Sequence, residues 1–257
     1  MGEGNKNLMK TEISKYNPFK CGRYAFAFEY IEERTKYLDY GCYDGYFIFK
    51  TLQKKKVNFI GIDKNKEIIN SNPYNLNLKF FDSFPLPFKE SEFDGVTLLD
   101  VLEHIYDQEA LLKEINRILK IGGKLIITVP HKYFFSWLDL GNLKFIFPTF
   151  HKLFYILTHS KKEYVKKYRE NPYGLIGDIE KEKAWHQHFT KKELTRLLKK
   201  NGFKVILYDG SNFFERLFIL FDILKIGFLI PKFLRIWDCL KFESMNLFCV
   251  AIKIKKL

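Results

Sequence analysis

The chain has 257 residues, of which 47% are hydrophobic, including 27 Phe and 15 Tyr, and its net charge is +13. This apolar content argues against an intrinsically disordered chain, and the length suits one α/β domain with insertions. The four cysteines show no Cys-x-x-Cys spacing, which argues against a zinc ribbon or a disulfide framework and favours a reducing environment.

The lysines that produce the positive charge are scattered over several predicted helices rather than gathered in one patch. Scattered lysines are typical of a solvated surface, although anionic substrates, membranes and nucleic acid stay open as partners. The first 20 residues are polar and lack the apolar stretch of a signal peptide, which predicts a cytoplasmic protein.

The first predicted helix runs from Arg23 to Arg34 and carries Tyr24, Phe28 and Ile31 on one apolar stripe. It leads into a short predicted strand, Tyr37 to Tyr40.

A glycine loop lies between that strand and the next predicted helix, Gly45 to Lys55. Gly41 and Gly45 are four residues apart, whereas a dinucleotide site shows Gly-x-Gly-x-x-Gly, so nicotinamide cofactors are disfavoured. Asp39, just before the loop, would repel a pyrophosphate but attract an ammonium group. We therefore expect a ligand that has both an ammonium and a carboxylate, the carboxylate facing the backbone N–H groups of the turn.

The stretch from Asp39 to Gly45 resembles the first motif of class I S-adenosylmethionine-dependent methyltransferases, Asp/Glu-x-Gly-x-Gly-x-Gly. The resemblance implies that Asp39, Gly41, Tyr43 and Gly45 bind S-adenosylmethionine. Tyr43 replaces the middle glycine of the family pattern, so the loop is bulkier than usual beside the methionine part of the cofactor.

Two further predicted strands end in acidic residues. The strand Val57 to Asp63 ends in a carboxylate whose oxygens can accept both hydroxyls of a ribose. The strand Leu78 to Ser83 ends at the family position that contacts the adenine. The residues expected to bind the cofactor here are Asp63, Lys64, Asp82 and Ser83.

The predicted strand Gly95 to Asp100 continues into Val101-Leu-Glu-His104, a run that resembles the fourth motif of small-molecule methyltransferases. Enzymes that methylate amino groups of nucleic-acid bases carry Asn/Asp-Pro-Pro-Tyr at this position, so that class is disfavoured. The resemblance adds Asp100, Val101 and His104 to the cofactor site.

A longer helix is predicted to begin after its N-cap, Asp107, and to end at Gly122-Gly123. The next strand, Lys124 to Val129, is a β-branched run without polar alternation, which predicts a central strand buried on both faces. Pro130-His131 ends this strand at the edge where ligands of such sheets bind.

After His131 the sequence no longer follows the family pattern. Residues 132–183 are an aromatic and basic insertion, which we expect to form a lid and substrate-specificity element. A capping box, Thr190 and Glu193, then opens the predicted helix Lys191 to Lys200.

Two more predicted strands, Phe203 to Tyr208 and Leu247 to Ile254, complete the sheet, with a helical insertion at 211–245 between them. Its segment 213–237 carries four charges, which argues against a membrane span. Packing against the other insertion or a dimer contact is preferred, and peripheral membrane contact is the alternative.

Three histidines, His131, His186 and His188, are candidates for a general base, because a neutral imidazole accepts a proton near neutral pH. A structural role is the competing interpretation for each. His-x-His could bind a metal, but no carboxylate follows at an obvious ligand spacing, so no metal is expected.

The predicted fold is therefore α/β, a Rossmann-like, mostly parallel seven-stranded sheet with helices on both faces. Residues 1–131 and 184–257 are predicted to form one core domain that carries the two insertions. The predicted function is S-adenosylmethionine-dependent methyl transfer, with O-methylation of a small molecule, a glycan precursor or a lipid-linked intermediate preferred. A cofactor-binding or membrane-associated scaffold is the alternative. RNA methylation is the third choice, because only the positive charge of the chain favours it. A monomer or homodimer is expected, in the cytoplasm or peripheral at the inner face of the membrane.

Overall fold

The computed structural model describes residues 22–132, 147–158, 160–168, 187–211 and 245–257. Their strands are β1 (Lys36–Tyr40), β2 (Asn58–Asp63), β3 (Leu78–Phe80), β4 (Phe93–Leu99), β5 (Leu119–Pro130), β6 (Phe203–Ser211) and β7 (Asn246–Lys253). They form one sheet in the order β3-β2-β1-β4-β5-β7-β6, and only β7 runs antiparallel to its neighbours. This confirms the predicted mostly parallel, seven-stranded sheet.

The helices of the described ranges are α1 (Arg23–Tyr30), α2 (Tyr46–Leu52), α3 (Lys66–Ser71), α4 (Gln108–Ile118), α5 (Pro148–Thr158), α6 (Lys161–Tyr168) and α7 (Lys191–Lys200), with a 3₁₀ turn at Leu102–His104. Helices α1 to α3 pack on one face of the sheet, and α4 and α7 pack on the other. None of these helices is both long enough and apolar enough to cross a bilayer.

The core consists of two hydrophobic clusters, one on each face of the sheet. Ile126 of β5 packs with Phe26 of α1 and Phe47 of α2, on what we call the α1 face. Its neighbour Ile127 packs with Leu112 of α4, on the α4 face. The predicted part of β5, Lys124 to Val129, is covered on both faces, because successive side chains of a central strand alternate between two covered layers, whereas residues 120–122 of the strand are exposed.

Helix starts were predicted more accurately than helix ends. Asp107 caps α4 by accepting a hydrogen bond from the Ala110 N–H, and Thr190 and Glu193 form the predicted capping box of α7. The end of α4 was predicted wrongly, because the helix stops at Ile118 and Gly122-Gly123 lies inside β5. The glycines fall where the register of β5 with β4 shifts, so they serve a bulge rather than a helix end.

Two other boundaries also differ from the prediction. Helix α1 ends at Tyr30 rather than Arg34, because Ile31 is extended. The predicted stripe does pack on the α1 face, with Ile31 buried and Tyr24 and Phe28 partly buried, but Phe26 and Ala27 are the buried residues within the helix. Strand β3 ends at Phe80 rather than Ser83. Helix α3, capped by the Asn65 side chain, was not predicted.

Candidate active site

Asp39 at the end of β1 is a buried carboxyl at the carboxyl edge of the sheet. Its side chain is 3% exposed and accepts a hydrogen bond from Thr97 Oγ1 at 2.6 Å. Burial raises the pKa of Asp39 to about 7; the Thr97 hydrogen bond opposes this rise and the charge of Asp63 adds to it. Asp39 therefore changes charge in the neutral range, and a cation bound against it would favour the ionised form.

The glycine loop after β1 packs closely against two other parts of the chain, β2 and Val101. The N–H groups of Gly41 and Cys42 both donate to the Ile62 carbonyl, at 2.8 and 3.1 Å, which ties the loop to β2. Gly41 has a φ of 79°, and a Cβ there would lie 2.5 Å from Cγ2 of Val101. Glycine is required by the left-handed backbone and by this contact, so the first motif packs directly against the residue that follows Asp100.

Tyr43, at the family's glycine position, keeps its side chain outside the loop. Its backbone is left-handed, with a φ of 51°, and its N–H donates to Asp63 Oδ2 at 2.9 Å. A non-glycine residue in this conformation costs roughly 1–2 kcal/mol. Because the side chain is 56% exposed, the bulk of the tyrosine is accommodated at the rim of the loop.

Asp63 at the end of β2 has a carboxylate whose two oxygens can both accept further hydrogen bonds. Its Oδ2 accepts the Tyr43 N–H and its Oδ1 accepts the Asn65 N–H at 2.8 Å. One backbone donor on each oxygen leaves a lone pair on each, and the side chain is partly exposed. The predicted ribose-binding residue therefore fits two neighbouring hydroxyls, and Lys64 is exposed beside it.

Asp82 and Ser83 lie just outside the sheet. The Phe81 N–H donates to the Asp63 carbonyl at 3.0 Å, and the two following residues are exposed beyond the end of β3. Their predicted position at a strand end is corrected to a loop beside Asp63. Their predicted contact with the adenine stays a prediction.

Asp100, directly after β4, is held on several sides. It has a φ of 57°, its N–H lies 3.0 Å from Thr128 Oγ1, and its Oδ1 accepts a hydrogen bond from that hydroxyl at 2.6 Å. Its Oδ2 forms an ion pair with Arg23 of α1. The Asp100 charge raises the pKa of Arg23, so the guanidinium stays charged at this edge.

The residues that orient these acids were not identified from the sequence. Thr97 holds Asp39, and Thr128 and Arg23 hold Asp100. The threonines carried a usable signal, because each is a polar residue within an otherwise apolar, buried strand. No sequence pattern marked Arg23, because its partner Asp100 is 77 residues away in the chain.

His131 extends β5 beyond the sheet and meets the segment that returns after the insertion. It forms a parallel bridge with Phe189, whose N–H donates to the Pro130 carbonyl at 2.9 Å. Both His131 and the neighbouring His188 are half-buried. The structure therefore brings two of the three candidate bases to one strand end, and His186 lies outside the described residues.

The fourth motif is linked to the same returning segment. His104 ends the 3₁₀ turn, and its N–H donates to the Val101 carbonyl at 2.9 Å. Gln108 Nε2 donates both to the Leu102 carbonyl at 2.8 Å and to Gln187 Oε1 at 2.9 Å. Gln108 thus ties the strand end that carries Asp100 to the histidine-bearing segment. Within the described ranges no group of His, Cys, Asp and Glu side chains is arranged to hold a metal ion.

Comparisons with known proteins identify the family of this chain. A family model described as "Methyltransferase domain" matches residues 14–208. An uncharacterized protein of Methanocaldococcus jannaschii is 31% identical over 180 residues, which cover 68% of this chain and 64% of that protein. A demethylmenaquinone methyltransferase of Staphylococcus saprophyticus is 35% identical over 108 residues, covering 41% and 43%. The chain thus spans less than two thirds of these curated relatives.

Solved structures share the fold at lower identity. The methyltransferase complex of Haloferax volcanii, formed by the Trm112 activator and a putative methyltransferase, matches with a TM-score of 0.55 and 16% identity, over 98% of this chain and 95% of that one. Because the family model covers well over half of the residues, this chain belongs to the methyltransferase-domain family, and its fold is that of S-adenosylmethionine-dependent methyltransferases of known structure.

Proposed function

We propose that this chain transfers a methyl group from S-adenosylmethionine to a hydroxyl of a small molecule, a glycan precursor or a lipid-linked intermediate. The observation that carries the proposal is the gathering of Asp39, Asp63 and Asp100 at the carboxyl ends of three adjacent strands, β1, β2 and β4. When bound, S-adenosylmethionine supplies a methyl group activated by a positively charged sulfur.

The carboxylates would hold the cofactor by complementary charge and hydrogen bonding. Asp63 would accept the two ribose hydroxyls on the lone pairs that its backbone donors leave available. Asp39 would face the ammonium of the methionine part and would ionise as that cation binds. These contacts fix the cofactor, and in-line alignment of the acceptor can contribute about 7–11 kcal/mol to the barrier reduction.

His131 is the preferred base for the acceptor. It lies at the end of β5, which neighbours the β4 strand that carries Asp100. A neutral imidazole there would accept the proton that an acceptor hydroxyl loses as its oxygen bonds to the methyl carbon.

Two features support an apolar acceptor. Three aromatic side chains in the described part of the insertion, Phe154, Tyr155 and Tyr164, are half-buried, and such side chains suit rings and acyl chains. Several relatives are demethylmenaquinone methyltransferases, at 31–35% identity over part of the chain. We therefore place a quinone-like, lipid-soluble acceptor first among the candidates.

The test has two stages. Calorimetry with S-adenosylhomocysteine should show binding to the unaltered chain and about 100-fold weaker binding to Asp63→Ala, and absence of binding to the unaltered chain would overturn the proposal. Release of S-adenosylhomocysteine is then measured with a reduced demethylated quinone in detergent, a sugar nucleotide and RNA. Turnover with the quinone or the sugar supports the proposal if the product carries the new methyl group on an oxygen, and methylation on carbon would contradict transfer to a hydroxyl. Binding without turnover on any acceptor would favour the scaffold, and turnover on RNA alone would favour the third choice.

A further inference from the structure

Helix α5 exposes an apolar stripe that the methyl-transfer site does not use. Phe147, just before the helix, and Phe150, Leu153 and Leu157 within it are exposed by 59, 59, 58 and 76%. Their spacing of three, three and four residues places them on one side of a helix. Large apolar side chains exposed in a row, rather than singly, mark an interaction surface.

Basic residues follow directly after this stripe. Helix α6 begins at Lys161, three residues after α5 ends, and Lys161 and Lys162 are both exposed. The rings of Tyr155 and Tyr164 lie 5.9 Å apart and hold the two helices against each other. Residues 147–168 contain five lysines and a single acidic residue, Glu163, so this helix pair joins an apolar stripe to a strongly positive end.

We propose that the stripe of α5 and the lysines of α6 dock on the surface of an anionic lipid bilayer. Apolar side chains in a row enter the boundary between headgroups and acyl chains, and neighbouring lysines are attracted to anionic headgroups. Helix α5 has 11 residues and is about 16 Å long, which suits a helix lying in the membrane surface rather than across it.

The charge of the helix pair distinguishes this occupant from a second copy of the chain. A two-fold dimer would bring two copies of the same positively charged helix pair into one interface, and their like charges would repel each other. An anionic bilayer instead satisfies the apolar stripe and the lysines together. The inference concerns where the chain binds, and it holds whichever acceptor is methylated.

The experiment is co-sedimentation of the full chain with vesicles of phosphatidylcholine alone or mixed with phosphatidylglycerol. The chain should pellet with the mixed vesicles, and added salt should weaken the binding. The double variant Phe150→Asp/Leu157→Asp should lower the partition coefficient at least about tenfold, because two apolar side chains no longer enter the lipid. The variant Lys161→Glu/Lys162→Glu should remove the preference for the anionic vesicles.

Ile121→Asp is the matched control, because Ile121 is 62% exposed in β5 and far in sequence from both helices. It should bind vesicles like the unaltered chain, and all variants should bind S-adenosylhomocysteine equally if they are folded. Equal sedimentation of the double variant and the unaltered chain would overturn the proposal. Equal binding of the unaltered chain to neutral and anionic vesicles would also overturn it. So would an unaltered chain that binds no vesicles and forms a dimer, if Phe150→Asp/Leu157→Asp converts that dimer to a monomer.

Discussion

The two ends of the candidate site are built in different ways. At the cofactor end, Asp39, Asp63 and Asp100 each accept a hydrogen bond from another part of the chain, and Asp63 accepts two from backbone N–H groups. At the acceptor end, His131 is half-buried and its segment is joined to the sheet through the bridge to Phe189. The charges proposed to bind the cofactor thus lie at strand ends of the sheet, whereas the groups proposed to meet the acceptor lie where the insertion leaves and returns.

This difference follows from what each end must recognise. A single cofactor can be matched by short side chains whose positions the strands determine. Acceptors differ between relatives, and loops and inserted helices can change without disturbing the sheet. We therefore expect substitutions at the two ends to separate cofactor affinity from turnover.

The largest expected effect is on turnover at the acceptor end. His131→Ala should lower kcat about 10²–10⁴-fold, because a general base typically contributes that factor. The affinity for S-adenosylhomocysteine should change less than about twofold, since the strand-end acids are untouched. Steady-state rates and calorimetry on the same variant give both values.

His188→Ala is the matched control for that substitution. Phe189, not His188, pairs with His131, and successive residues of an extended segment point to opposite sides. We therefore expect a smaller loss of kcat from His188→Ala. Unchanged turnover in His131→Ala would remove this histidine from the base role and leave the acceptor end without an assigned residue.

A smaller effect, on affinity, is expected at the cofactor end. Asp63→Ala should weaken binding of S-adenosylhomocysteine about 100-fold, because hydrogen bonds to a charged group are worth about 1.5–3 kcal/mol each and the Tyr43 and Asn65 donors also lose their acceptor. Asp82→Ala is the comparison variant, exposed and outside the sheet, and should cost less than tenfold. If both variants bind as tightly as the unaltered chain, the distinction between a rigid cofactor end and a variable acceptor end fails.

The sequence predicted local features of the site well and long-range ones poorly. Gly41 and Asp63 were predicted because a left-handed turn and a strand-end acid leave local patterns. Thr97 and Arg23 were missed because their partners, Asp39 and Asp100, lie 58 and 77 residues away. These hydrogen-bonded and ionic pairs depend on which strands become neighbours in the sheet. No single segment of the sequence determines that order.

The fold shows the same division. The burial of both faces of β5 from Leu125 onward and the capping box of α7 follow from short-range patterns, and both were predicted. The bulge that uses Gly122 and Gly123 was not predicted, because it depends on the register of β5 against β4. A pair of glycines after a helical pattern is equally compatible with a helix end and a bulge, and tertiary pairing selected the bulge.

The smallest expected effect is a pH dependence of cofactor affinity that arises at Asp39. Burial raises the pKa of this carboxyl to about 7 in the unliganded chain, whereas the ammonium of the cofactor favours the ionised form. Below pH 7 binding must therefore release a proton, and the affinity for S-adenosylhomocysteine should fall by up to about tenfold for each pH unit. Above pH 7 the carboxyl is already ionised and the affinity should level off.

Asp39→Asn isolates this contribution, because the amide keeps an oxygen that can accept the Thr97 hydrogen bond but has no titratable proton. Its affinity should be lower than that of the unaltered chain above pH 7, and should vary little as the pH falls. Calorimetry in two buffers of different ionisation enthalpy measures the released proton directly.

The raised pKa of Asp39 also predicts how folding stability depends on pH. The native chain keeps a proton on Asp39 that the unfolded chain loses near pH 4, so this residue should lower the free energy of unfolding as the pH rises from about 4 to 7. If Asp39→Asn retains both pH dependences, another group titrates at the cofactor end, and the buried carboxyl serves only to anchor Thr97 between β1 and β4.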